Sequence, residues 1–452
     1  MILEDFIYLF LLLFSTVCGF FLRNIEDSAK RKYACTLLGF AILLPVSGYH
    51  IFHLLLLTIV NAGIVLKINK RYCHVVSFVF CFSYILFTRT SEYFGLPSPP
   101  EITNTALMIM VLKMVGLAYE VNLHHLKSIS SDKADSIKEI YTRIKPNFLD
   151  IIQYSFCYAG ILVGPYYKYR TYDDLFEKPY STCVPHQMFL KKRLIVIPFY
   201  ICLYLLSDYF FPLSLAASEE IWEFSFLSRI FYMWPWFFSF RMRIYVAFVL
   251  GECICMNLGL GAYPEKTSPA PGAGPTDFHE LQNIDKNVSD YKYVAYNFET
   301  IRCMNEFASE FRPTMREGIR YWNMTVQYWL AIYIYRKTAA SKPVKMVVTM
   351  FVSAIWHGVR AGYYLSLLGT PLLLIAEIEV EKAFRKNLSG NKLKIYDTIW
   401  YFVKMQCISY MGVAFVILDF KVILNYWNSI YYFGHFFTLF MFSVAFLKNT
   451  FV

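Results

Sequence analysis

The chain has 452 residues, 57% of them hydrophobic and only 17% charged, where a soluble globular domain carries about a quarter charged residues. Apolar runs recur almost from end to end, which excludes an ordinary soluble enzyme or nucleic-acid-binding module and predicts an all-α, polytopic integral membrane protein. The net charge of +10, spread over loops, fits membrane topology and attraction to lipid phosphate.

The chain opens MILEDF, with two acids and no basic residue before the first apolar stretch. A cleaved secretory signal is therefore not expected, and the first span should remain. Spans are expected at 5–22, 33–46, 50–66, 72–89, 102–119, 194–211, 226–260 (as two), 322–335, 345–358, 362–377, 396–418 and 428–447. That makes about ten to twelve helices, several shorter than the roughly 20 residues of a straight crossing.

Basic residues follow the odd-numbered spans: Arg23, Lys30, Arg31 and Lys32; then Lys67, Lys70 and Arg71; then Lys127, Lys133, Lys138, Arg143 and Lys145. The intervening loops, PVSGYH and SEYFGLPSPPE, have no Lys or Arg, which predicts cytosolic basic loops and a lumenal amino terminus. The stretch 151–164 has basic residues on both flanks, so it is expected to dip into the membrane without crossing.

The polar stretch 261–320 opens with EKTSPAPGAGPTD, read as a flexible Pro- and Gly-rich piece. It continues into a mixed-charge, aromatic-rich part expected to form interfacial helices. The whole chain, 1–452, thus reads as one membrane-embedded domain. It comprises N-terminal helices over 1–120, a polar insert over 261–320 and chemistry-bearing helices over 321–377. The eleven cysteines include no CxxC pair; reduced core residues, no disulfide framework and no metal site are expected.

Three sets of residues stand out chemically. His357 lies in SAIWHG, between two apolar runs. Ionisable groups at membrane depth are rare and face a cavity or a partner, and a neutral imidazole can accept a proton, as a general base does. The plain alternative is a structural histidine bonded to a backbone carbonyl; His435, in a second apolar setting, has less to recommend it. Asn323, in RYWNMT, opens another apolar helix and shares a face with Gln327. Its amide can orient a base or support an oxyanion, or it can be a simple helix cap. Asn323, Asn287 and Asn387 also begin glycosylation sequons, but at Asn323 the adjoining apolar helix leaves little room for a glycan. Finally, Lys168, Arg170, Arg241, Arg243, Arg302, Arg316, Arg320 and Arg360 lie within or beside apolar stretches. Singly, each reads as a snorkelling side chain; together they suit an anionic, phosphate-bearing substrate. No nucleophile elbow, phosphate-cradling loop or zinc motif is present.

RYWNMT at 320–325, followed by SAIWHG at 353–358, resembles the two signature blocks of the membrane-bound O-acyltransferase family. SFCYAGILVGPYYKYRTY, FRMRIYVAF, NFETIRCMN and WHGVRAGYYLS extend the resemblance over most of the chain, towards the family's lysophosphatidylinositol acyltransferase branch. The resemblance implies an all-helical core around a transmembrane tunnel, with His357 and Asn323 as the catalytic pair. Arg320, Tyr321, Trp322, Trp356, Arg316, Arg360, Arg241, Arg243, Lys168 and Arg170 are the candidate substrate-binding residues. It implies acyl-CoA as co-substrate, no permanently bound cofactor and lysophosphatidylinositol as acceptor. It further implies a polyunsaturated, preferably arachidonoyl, donor chain and residence in the endoplasmic reticulum membrane. Residue spacing does not read the headgroup, so another lysophospholipid acceptor stays open. Oligomeric state is not legible. A proton-coupled transporter is the reading from a different class, and the inverted repeats common in such proteins are not evident.

Overall fold

The computed structural model describes residues 2–129, 141, 143–286 and 291–451. Lys133, Lys138 and the sequon residue Asn287 lie outside the described residues. Among the described residues the chain is mostly helical, with one two-stranded antiparallel pairing of Tyr263–Pro264 with Tyr296–Asn297. It divides into two compact units: Met1–Val196, Ala247–Cys303 and Asn323–Tyr333 form one, and Ile197–Val246, Met304–Trp322 and Ile334–Val452 the other.

Among the described residues, six helical stretches are long and apolar enough to cross a membrane: Glu4–Arg23, Ser28–Lys67, Glu101–Leu126, His186–Ala217, Ala361–Arg385 and Gly390–Ile417. The pair Phe420–Ser429 and Phe433–Phe451, bent by 66°, makes a seventh if counted as one span. This is fewer than the sequence suggested, for identifiable reasons. Cys73–Arg89 and Lys342–His357 have only 17 and 16 residues, short of the roughly 20 a straight crossing needs. The stretch read as a span at 322–335 is a seven-residue helix, Met324–Leu330, running into a π-turn at Ala331–Tyr335. The stretch 226–260 is not two spans but one 33-residue helix, Phe226–Leu258, with Pro235 inside it. A proline removes one backbone bond, whereas breaking the helix among apolar side chains would leave several unpaired.

In the first unit, helices Ile51–Lys67, Cys73–Arg89 and Glu101–Ile129 pack on one another. Helix Ser28–Ser47 starts on an Asp27 cap that accepts from Ala29 N and Lys30 N. It meets the nine-residue helix Phe148–Phe156, itself opened by a reciprocal Asn147–Asp150 capping box. Gly39 permits that close approach, since a Cβ there would lie 1.9 Å from Phe156 O. Nine residues rise only about 14 Å, well short of a membrane's apolar thickness. The Pro- and Gly-rich stretch after Tyr263 is folded, contrary to the flexible reading. Thr267 is buried and its carbonyl accepts from Thr276 N and Asp277 N, while Gly272 N donates to Thr300 O at 2.8 Å. Composition signalled a loop, and tertiary hydrogen bonds order it.

In the second unit, helix Ala361–Val380 packs against Lys342–His357, Gly390–Ile417 and Phe433–Phe451. Trp236, Tyr410, Tyr426 and Trp427 anchor its apolar core. His435 has a structural role: its Nδ1 lies 2.6 Å from the Tyr410 hydroxyl, and its ring meets Trp427 edge-on.

Candidate active site

Asn323 belongs to the first unit. It stands at the N-cap of Met324–Leu330 with φ 42° and ψ 53°, the left-handed conformation that asparagine tolerates better than most residues. Its side chain makes no cap hydrogen bond, so the carboxamide is not spent on its own helix. The helix behind it is pinned elsewhere. Thr325 Oγ1 accepts from Tyr166 N at 3.3 Å, and Trp329 Nε1 donates to Leu112 O at 3.0 Å. Lys168 Nζ donates to Ala273 O at 2.9 Å and sits 5.1 Å over the Tyr328 ring, so it braces the same helix. Arg170 pairs with Asp174 at 2.7 Å and with Asp173 at 3.9 Å. Burial, then the neighbouring Glu177 charge, pushes the Asp173 carboxyl up to about 6 against the pull of Lys32 and Arg170.

His357 belongs to the second unit. It is the last residue of Lys342–His357, half-buried, followed by Gly358 at φ 150°. Its ring lies 5.5 Å from Tyr363 and 4.9 Å from Phe415, with buried Trp356 alongside at 4.8 Å. The next helix can begin close by because residue 362 is glycine: a Cβ there would lie 2.1 Å from Ala414 O. Arg360, exposed, caps that helix by position.

Among the other candidates in the second unit, Arg241 forms a two-pronged pair with Glu310 at 2.8 and 3.3 Å, and the Tyr245 hydroxyl joins the same carboxylate at 2.5 Å. The Trp322 ring lies 5.8 Å from Tyr245. Arg316 pairs with Glu381 at 3.0 Å. Arg243 and Arg320 are exposed, and Tyr321 lies under the Arg312 guanidinium at 5.7 Å.

Two charged residues that the sequence did not single out hold the approach to RYWN. Glu377, buried in a spanning helix, accepts from Met315 N at 2.6 Å, Arg316 N at 2.9 Å and Trp400 Nε1 at 3.2 Å. A carboxylate at the start of helix Met315–Arg320 is favoured by the helix dipole. Lys404, buried in the next span, donates to Glu310 O and Arg312 O, both at 2.9 Å, at the end of helix Glu306–Phe311. The signal was available: the first of two acids in LLLIAEIEV and the lysine in WYFVKMQC are ionisable groups at membrane depth.

The model of the membrane-bound O-acyltransferase family matches residues 75–420. The chain belongs to that family. This membrane-bound O-acyltransferase is a multi-pass membrane protein. It is 37% identical over 441 residues to the membrane-bound acylglycerophosphatidylinositol O-acyltransferase MBOAT7 of Mus musculus, covering 96% of this chain and 92% of that protein. It is 34% identical over 451 residues to the protein of the same descriptive name, frj, from Drosophila melanogaster, covering 96% and 90%. The corresponding protein of Caenorhabditis elegans, mboa-7, is 28% identical over 433 residues, covering 95% and 92%.

Proposed function

We propose that this membrane-bound O-acyltransferase moves a polyunsaturated acyl chain, arachidonoyl in preference, from acyl-CoA to the sn-2 hydroxyl of lysophosphatidylinositol, in the endoplasmic reticulum membrane. The observation that carries the reading is the nearly full-length similarity to proteins named as acylglycerophosphatidylinositol O-acyltransferases.

His357 is the general base. It takes the proton of the sn-2 hydroxyl as that oxygen attacks the thioester carbonyl. The Asn323 amide N–H supports the negative charge on the carbonyl oxygen. The carbon–sulfur bond then breaks, the CoA sulfur leaves with the proton from the imidazolium, and the ester remains on the lipid. The thioester is already activated, so the reaction calls for no resident metal or cofactor. Keeping water away from the thioester limits its hydrolysis. The half-buried His357 and the uncapped carboxamide of Asn323 support these roles. Arg320 and Arg360, both exposed, are candidates for the phosphates of CoA and inositol. Arg170, Arg241 and Arg316 would first have to exchange a carboxylate. Tyr321, Trp322 and Trp356 supply aromatic surface to the substrates.

The test is acyl transfer by the purified protein, with arachidonoyl-CoA and oleoyl-CoA as donors. Lysophosphatidylinositol is offered beside lysophosphatidylcholine, lysophosphatidylserine and lysophosphatidylethanolamine. Selective formation of arachidonoyl-phosphatidylinositol, lost in His357→Ala, is expected. Preference for another acceptor would reassign the substrate, and activity surviving His357→Ala would remove the histidine from the chemistry.

A further inference from the structure

We propose that Glu252 is a positioning residue for Asn323, acting through the main chain of Cys303 and Met324. The proposal rests on the reading that Asn323 takes part in catalysis.

Glu252 lies in helix Phe226–Leu258 and is 0% exposed, with buried cysteines at 253 and 255. A carboxylate so enclosed persists only with partners, and here each oxygen has its own. Oε2 lies 2.7 Å from Arg193 Nη2, and Oε1 accepts from Cys303 N at 2.7 Å. The Cys303 carbonyl in turn accepts from Met324 N, again at 2.7 Å. Three short contacts therefore run from a fixed positive charge to the amide directly after Asn323, and all of these residues lie within the first unit.

That placement matters because of the conformation of Asn323. An N-cap asparagine ordinarily turns its side chain back onto the second or third amide of its helix, which fixes where the carboxamide points. At φ 42° no such bond forms, so the backbone at 323 sets where the carboxamide starts from without a cap bond to correct it. The Met324 N bond to Cys303 fixes the peptide between 323 and 324. The contacts at Thr325 and Trp329 hold the rest of the helix independently. Loss of the Glu252 carboxylate therefore loosens the start of the helix without releasing the helix. Small misplacements of a catalytic group cost large factors in rate.

The test uses the full-length protein in detergent or nanodiscs, assayed with arachidonoyl-CoA and lysophosphatidylinositol. Glu252→Gln keeps the shape and one acceptor but removes the charge that grips Arg193. It is expected to lower kcat by roughly tenfold to a hundredfold, with both KM values within about twofold, and to add no further loss to Asn323→Ala. An unchanged kcat, or the same fractional loss on the Asn323→Ala background, overturns the proposal. If Glu252→Gln does not fold, Arg193→Lys disturbs the same contact and carries the same expectation. If Asn323→Ala has no measurable turnover, amide hydrogen exchange replaces the cycle. Peptides beginning near residue 320 should exchange roughly tenfold faster in Glu252→Gln, and peptides covering His357 at the parental rate. Equal exchange at both places overturns the proposal. An Asn323→Ala enzyme with full activity instead overturns the catalytic reading of Asn323 itself.

Discussion

Replacing Glu377 with alanine tests whether a charge inside the membrane-embedded helices holds the segment leading to RYWN. The carboxylate receives three N–H groups, from Met315, Arg316 and Trp400. Arg316 is exposed and its amide can turn to water, but Met315 and Trp400 are buried. Alanine thus orphans two buried donors at about 1–3 kcal/mol each, roughly 2–6 kcal/mol together. Both buried donors go to Oε1, so a glutamine whose oxygen takes that place keeps them paired and should cost well under half as much. At roughly 2 °C per kcal/mol for a unit of this size, Glu377→Ala should lower the melting temperature by roughly 4–12 °C. Thermal unfolding in detergent, followed by intrinsic tryptophan fluorescence, reads this directly. An alanine variant melting within about 1 °C of the parent, or a glutamine variant as damaged as alanine, would refute the reasoning.

Gly39→Ala should destabilise by at least about 3 kcal/mol, because its Cβ meets the Phe156 carbonyl at 1.9 Å and backbone cannot easily yield. Gly63→Ala, where a Cβ meets nothing within 4 Å, should be neutral or stabilising by about 0.5–1 kcal/mol in the same melting assay. Arg241→Met breaks the Glu310 pair and should cost about 3–5 kcal/mol in stability while leaving the KM for acyl-CoA within about twofold. A raised KM with unchanged melting would instead place Arg241 on the substrate. The Asp173 carboxyl titrates near 6 in the folded chain, above its usual value near 4, so folding favours its protonated form. Its contribution is most favourable below about pH 4 and declines as pH rises to 6. Asp173→Asn should therefore melt higher than the parent at pH 7.5, with the gap closing below pH 5.

Most spans were legible because apolar length is a direct physical requirement of the bilayer. Two local features misled. The stretch 226–260 reads as two spans, but one helix in apolar surroundings continues through Pro235. The glycines and prolines after Tyr263 suggested flexibility, yet Gly272 N and Thr267 O have fixed partners that composition cannot reveal. At the candidate site, His357 and Asn323 could be picked out by residue type and setting. The left-handed backbone of Asn323 could not, since neither neighbour demands it. The arginines looked like one collection, but the carboxylates that occupy Arg241 and Arg316 lie 69 and 65 residues away in the chain. No window of sequence brings those partners together.

Glu377 and Lys404 grip segment 306–316 almost entirely by main-chain atoms: two amides at one helix start, and carbonyls 310 and 312 at another helix end. A backbone presents the same amide and carbonyl whatever side chain it carries. The segment's pose is thereby uncoupled from much of its own sequence. Exposed positions such as Phe307 and Arg312 are open to substitution while the chain keeps its path towards RYWN. Constraint sits in the two membrane-embedded charges and in the Glu310 side chain that pairs with Arg241, and the exposed positions between them are the substitutable ones.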